Sequence, residues 1–194
     1  MKPLPSFRWL ATLGVAFGGA ALAWSLFGLL TPVAPTHFHE YSLGAFLTEV
    51  GGHLAWGIAA GVFTLDPALA LLVAGESVLI DSDHLLSALN LPLEPRVAHS
   101  VFFAVSAALF LAYVGRRAGR VDRGIFFATL GAVAGHLSYD VFAGYALFPV
   151  LSPLSNAYFS FPYSSWVLLE AMAAALCALS WLPRVRDSGG RARL

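Results

Sequence analysis

The sequence predicts an all-α, multi-pass transmembrane bundle of about six spans, folded as one domain over residues 1–194. Three observations predict it. Hydrophobic residues make up 58% of the chain and charged residues only 11%. The mean hydropathy is +0.74, far above that of a soluble domain. Uncharged or nearly uncharged runs of roughly 20 residues recur along the whole length, leaving little for a separate soluble domain. A formal net charge of zero gives no reason to expect nucleic acid as a partner. The lone Cys177 lies in an apolar segment, where it reads as packing.

The elements follow in order. Residues 9–30, "WLATLGVAFGGAALAWSLFGLL", carry no charge and are long enough to cross a bilayer as a helix. Lys2 and Arg8 precede the run as they would in a signal peptide, but it is too long for a signal core and no A-x-A site follows. A retained first span is therefore expected. Its "FGGAA" offers small residues for close helix packing. Further spans are expected near 43–63, 67–88, 98–115, 124–147 and 165–182. The break between the second and third rests on "TLDP", where Asp66 and Pro67 signal a turn and a helix start.

Lys and Arg are retained on the cytoplasmic side, and this orients the spans. Lys2 and Arg8 precede span one, Arg116, Arg117, Arg120 and Arg123 fill the fourth loop, and Arg184, Arg186, Arg191 and Arg193 follow span six. With both termini cytoplasmic, every basic residue except Arg96 falls inside. The same arrangement, in a cytoplasmic (inner) membrane, gathers all six histidines in the outer half: His37 and His39 in the first outer loop, His84 and His99 at the second, and His53 and His136 within spans.

Ionisable residues within spans cost about 2.5–3.5 kcal/mol each on insertion, so they tend to be paired, inward-facing and functional. Span two carries Glu49 and His53, four apart on one helix face. Span three carries Glu76 and ends in "LIDSDHLL", with Asp81, Asp83 and His84. Span four opens on His99 and Ser100, span five carries His136 and Asp140 in "GHLSYD", and Glu170 begins span six. A His and an Asp at i and i+4 can hold one cation, and a carboxylate-rich D-x-D-H adds ligands from another wall. Imidazole with carboxylate and no thiolate suits Zn first, with Mn or Fe as alternatives, as one ion or two. Taken singly, His53 can instead bond a neighbouring helix, "DSDH" can be a solvated turn or cap, and "HLSYD" can be an internal pair. Glu76 and Glu170 are candidates to support the ligands.

The ordered set "GGHLAWGIAAGVF", "LIDSDHLL", "RVAHSVFF" and "GAVAGHLSYDVFAG...LFPVLSP" resembles the YdjM-like, LexA-binding, inner membrane-associated family of metal-dependent hydrolases. The resemblance covers about 52–153, leaving the first span as an addition to that core. It implies His53, Asp81, Asp83, His84, His99, Ser100, His136 and Asp140 as the functional positions. Ile80 stands where the family has a proline. Glu94 stands where the family's H-R-x-x-T-H-S has its first histidine, Pro95 where it has the arginine, and Ala98 replaces the threonine. Glu94 is then a substituted ligand or base, or an ordinary loop residue.

The expected chemistry is metal-assisted hydrolysis of a lipid-like ester, amide or phosphoester reached from the membrane. Expected ligands are His53, Asp81, His99, His136 and Asp140. Asp83 or Glu94 is the candidate base, His84 a ligand or a support for one, and Arg96 a partner for an anionic group. The H-E-x-x-H and G-x-S-x-G signatures are missing, and Ser100 beside His99 makes no triad. The rival readings are a metal or proton transporter, which needs polar residues continuing to the cytoplasmic side, and a non-catalytic metal-binding scaffold.

Overall fold

The computed structural model describes residues 7–28, 43–84, 96–117, 122–155 and 157–181. It is mostly helical, with six α-helices among the described residues: α1 (Phe7–Gly28), α2 (Leu43–Gly61), α3 (Pro67–Leu79), α4 (Val101–Arg117), α5 (Asp122–Ala143) and α6 (Ser165–Leu179). The segments Arg8–Leu26, Gly44–Thr64 and Arg123–Ala143 are long and apolar enough to cross a membrane. Val101–Arg116 and Ser165–Leu179 are apolar but shorter. Outward-facing positions are apolar as well, among them Val15, Leu71, Leu109 and Leu168, each more than half exposed.

Helix α5 is the axis of the bundle. It packs against α2, α3, α4 and α6, and α1 closes the far side against α3 and α4. Small residues allow the close approaches. A Cβ on Gly57 would come within 2.8 Å of the Ala74 backbone and 2.9 Å of Ser77, and one on Gly61 within 3.0 Å of Ala70. The α2–α3 seam is thus built from glycine against small residues, the arrangement that brings apolar helices together where no hydrophobic force separates them from their surroundings.

The helix ends are written in local chemistry. At "TLDP" the Asp66 side chain caps α3 by accepting from the amides of Ala68 at 2.9 Å and Leu69 at 3.3 Å, with Pro67 in the first turn. Helix α4 begins after Ser100, whose hydroxyl accepts from the Phe103 amide at 3.1 Å. Helix α5 ends in a Schellman motif: the Gly144 amide donates to Val141 and the Tyr145 amide to Asp140, with Gly144 at φ +99°.

Three features depart from the expected spans. Helix α3 ends at Leu79 and Ile80–Asp83 tightens into a 3-10 turn kinked at Asp81 (φ −77°, ψ 19°), while residues 85–88 of that expected span lie outside the described residues. His99 likewise precedes its helix in a 3-10 turn, Val97–His99. The chain between α5 and α6 adds a two-stranded antiparallel ribbon, β1 (Leu147–Phe148) with β2 (Phe159–Ser160), to an otherwise all-α fold. Strands this short carry too little alternation to be seen in sequence.

Candidate metal centre

Five side chains from two helices and two 3-10 turns converge on one point. His53 comes from α2, Asp81 from the turn after α3, His99 from the turn before α4, and His136 and Asp140 from successive turns of α5. His53, His99, His136 and Asp140 are buried and Asp81 is nearly so. The His53 Nε2 lies 3.1 Å from Asp81 Oδ2 and 3.5 Å from Asp140 Oδ1. The His99 Nε2 is 3.4 Å from a carboxylate oxygen of each aspartate, and the His136 Nε2 3.5 Å from the same two. The Nε2 atoms of His99 and His136 face each other at 2.9 Å, and the rings of His53 and His136 stack with centroids 3.9 Å apart.

Local structure explains why these atoms meet. His136 and Asp140, four apart, share the face of α5 turned toward α2 and α3. The kink at Asp81 turns its carboxylate off the axis of α3 and in toward α5. The Ser82 hydroxyl donates to the Gly18 carbonyl of α1 at 2.9 Å, which fixes that turn. Helix α1 thus buttresses the turn that delivers Asp81. Arg96 sits before His99 in the left-handed region (φ 42°, ψ 26°), a conformation costing a side-chain-bearing residue about 1–2 kcal/mol. Its guanidinium lies 3.6 Å from Asp140 Oδ2 and over the rings of Tyr145 at 5.3 Å and Phe148 at 5.7 Å. Phe148 in turn stacks on His99, 5.8 Å between centroids.

The donor set fits a cation. A carbonyl oxygen can only accept, so the 2.7 Å contact between His136 Nδ1 and the Ser77 carbonyl places that ring's hydrogen on Nδ1 and leaves a lone pair on Nε2 in the neutral imidazole. That lone pair faces His99 and two carboxylates. Asp81 Oδ1 and Asp140 Oδ2 are buried and take no hydrogen bond among the described residues. Ligands held about 2.0–2.2 Å from one ion stand about 3.0–3.5 Å from one another, and the spacings observed here run from 2.9 to 3.5 Å. His53, His136 and Asp140, and likewise Asp81, His99 and His136, form groups with ligand atoms within 4.8 Å, sharing His136. The cluster can hold a metal ion.

The remaining candidates fall elsewhere. His84 stands at the rim, its Nε2 3.8 Å from Asp81 Oδ1. Ser100 is buried and caps α4. Glu76 is fully buried and takes a hydrogen bond at 3.2 Å from Thr129, seven residues or about 10 Å along α5 from His136, so it lies beneath the centre. Glu170 lies on α6 against Gly135. The Asp83 side chain, Glu94, His37 and His39 lie outside the described residues.

Tyr139 also borders the centre. Its ring meets His53 edge-on at 4.6 Å, and its hydroxyl donates to the Thr48 carbonyl at 3.3 Å. A Cβ on Gly52 would overlap that ring. The signal was present in "GGH" and "SYD": a glycine beside one ligand and an aromatic residue beside another.

No family model, curated protein or solved structure matches the chain.

Proposed function

We propose that this protein is a membrane-embedded, metal-dependent hydrolase acting on a lipid-like ester, amide or phosphoester, and a distant relative of the YdjM-like hydrolases. In this reading six helices span a cytoplasmic membrane with both termini inside, and the centre opens toward the outer face. The observation that carries it is the meeting of three imidazole Nε2 atoms and two carboxylates, with Asp81 Oδ1 and Asp140 Oδ2 taking no hydrogen bond among the described residues. The spacing favours one ion held by His53, Asp81, His99, His136 and Asp140, with Zn first among the metals such ligands suit.

When bound, a divalent cation of this kind supplies Lewis acidity and brings the pKa of a water molecule to about 7. The chain supplies the rest. The Ser77 carbonyl fixes the tautomer of His136, and Tyr139 fixes the ring plane of His53. His84, 3.8 Å from Asp81, is placed to exchange a proton at the rim. Arg96, held between Tyr145, Phe148 and Asp140, supplies positive charge for an anionic group.

The test is metal analysis of purified protein, followed by lipid turnover with wild type and His136→Ala. About one equivalent of transition metal and turnover lost in the variant are expected. Chelator-free protein with no bound metal would sink the catalytic proposal.

One observation favours transport as the second reading. Glu76 Oε2 and Ser77 Oγ are buried without hydrogen-bond partners among the described residues. Polar groups therefore continue beneath the centre, as a transport route requires. Cation flux into liposomes that His136→Ala abolishes, with no lipid turnover, would select this reading.

A further inference from the structure

Helices α1 and α4 meet at small residues yet do not close. Trp24 and Phe103, with ring centroids 6.0 Å apart, prop them open, and Phe103 also packs edge-on against Phe17. Between them lies a groove of about 470 Å³, walled by Ala20, Ala23 and Trp24 on one side and by Phe103, Ser106 and Phe110 on the other. Positions 103, 106 and 110 form one stripe of α4 about 10 Å long. Among the described residues lining it, Ser106 carries the one hydroxyl.

The groove has a direction. It is also lined by Pro153, in the segment tied to the start of α4 by the bond from the Val101 amide to the Val150 carbonyl, 3.0 Å. His99 lies two residues before that start, and the Phe103 amide is held by the Ser100 hydroxyl. Phe103 is therefore both the inner wall of the groove and one turn of chain from a metal-facing imidazole. The groove runs down α4 to Phe110, which is 45% exposed on the outer surface of the bundle.

We infer that this groove seats the hydrocarbon chain of a membrane lipid whose head group reaches the His/Asp centre. The inference rests on the membrane-hydrolase reading and narrows its substrate to a long-chain amphiphile. The occupant follows from the surroundings. Helix α1 is long and apolar enough to span a membrane, and Val15 on α1 and Val105 and Leu109 on α4 are exposed apolar residues. A groove with one hydroxyl offers water too few partners to hold it. It matches a flexible apolar chain.

The test uses the full-length protein in phosphatidylethanolamine and phosphatidylglycerol vesicles doped with phosphatidylglycerol carrying a diazirine midway along one chain. Photolysis and peptide mapping are expected to label the 20–24 and 103–110 segments above the lipid-facing surface around Leu168. Ala23→Phe and Ser106→Phe, both at exposed positions, fill the groove from either wall and are expected to lower that labelling about tenfold, the equivalent of about 1.4 kcal/mol. Val15→Phe, outside the groove, is the control. Metal content is measured on every variant, so that a misfolded protein is recognised and replaced by the variant on the opposite wall. Labelling no stronger than around Leu168, or unchanged by both fillings, overturns the inference. Groove labelling without lipid turnover retains the chain site and removes the hydrolase; turnover without groove labelling does the reverse.

Discussion

The Nδ1 of His136 donates to the Ser77 carbonyl at 2.7 Å across 59 positions of sequence. The bond joins two helices, and it sets which end of the imidazole carries a lone pair. Outer partners of this kind are worth about 10–100-fold in metal affinity, and the ligand itself more. His136→Ala is therefore expected to lower metal affinity by more than about 100-fold, read by competition with a metal-binding dye. His136→Gln keeps a side-chain acceptor and is expected to fall between wild type and Ala. Equal affinity in all three proteins would show that His136 does not bind the ion.

Removing metal is expected to cost stability. Without a cation, Asp81 and Asp140 sit in a mostly buried cluster whose compensating groups, among the described residues, are imidazoles and Arg96. A ligand that binds only the folded state stabilises it by about 2.7 kcal/mol at one hundred times its dissociation constant. Chelation in detergent is thus expected to lower Tm by several degrees, with readdition of Zn restoring it. A Tm indifferent to chelator and to added metal would count against a bound ion.

Much of this centre was legible in residue types and spacing. His136 and Asp140 are four apart on a helix and so share a face. The Asp66–Pro67 pair marks the start of α3, and the expected cap is present. The 3-10 turns were not legible, because nothing in "LIDSDHLL" distinguishes a continued helix from one tightened at Ile80, and only the kink delivers Asp81 to the centre. The role of Ser77 was hidden for a different reason: its contribution is a backbone carbonyl, which every residue has. Arg96 was expected as a partner for an anionic group; its pairing with Asp140, across 44 positions of sequence, was not legible.

Gly51 and Gly52 provide a matched pair. A Cβ on Gly51 meets nothing within 4 Å, whereas one on Gly52 would run into the ring of Tyr139. Gly51→Ala is expected to be neutral or to stabilise by about 0.5–1 kcal/mol, since alanine suits a helix interior better. Gly52→Ala is expected to displace Tyr139, release the ring of His53 and lower metal affinity about 10–100-fold. Tyr139→Leu in the Gly52→Ala background relieves the overlap and is expected to restore folding but not affinity. If Gly52→Ala binds metal as wild type does, Tyr139 has no part in positioning His53.

Ser100 separates a structural from a catalytic assignment. Its hydroxyl accepts from the Phe103 amide and occupies the cap position of α4, with extended backbone (φ −99°, ψ 154°). Loss of such a cap costs about 1 kcal/mol. Ser100→Ala is expected to lower Tm by a few degrees and leave metal stoichiometry unchanged, while Ser100→Asp, which retains an accepting oxygen, recovers the cap in the same thermal assay. Were the hydroxyl a nucleophile, both variants would abolish lipid turnover while Tm stayed at the wild-type value, a pattern that a capping role alone cannot produce.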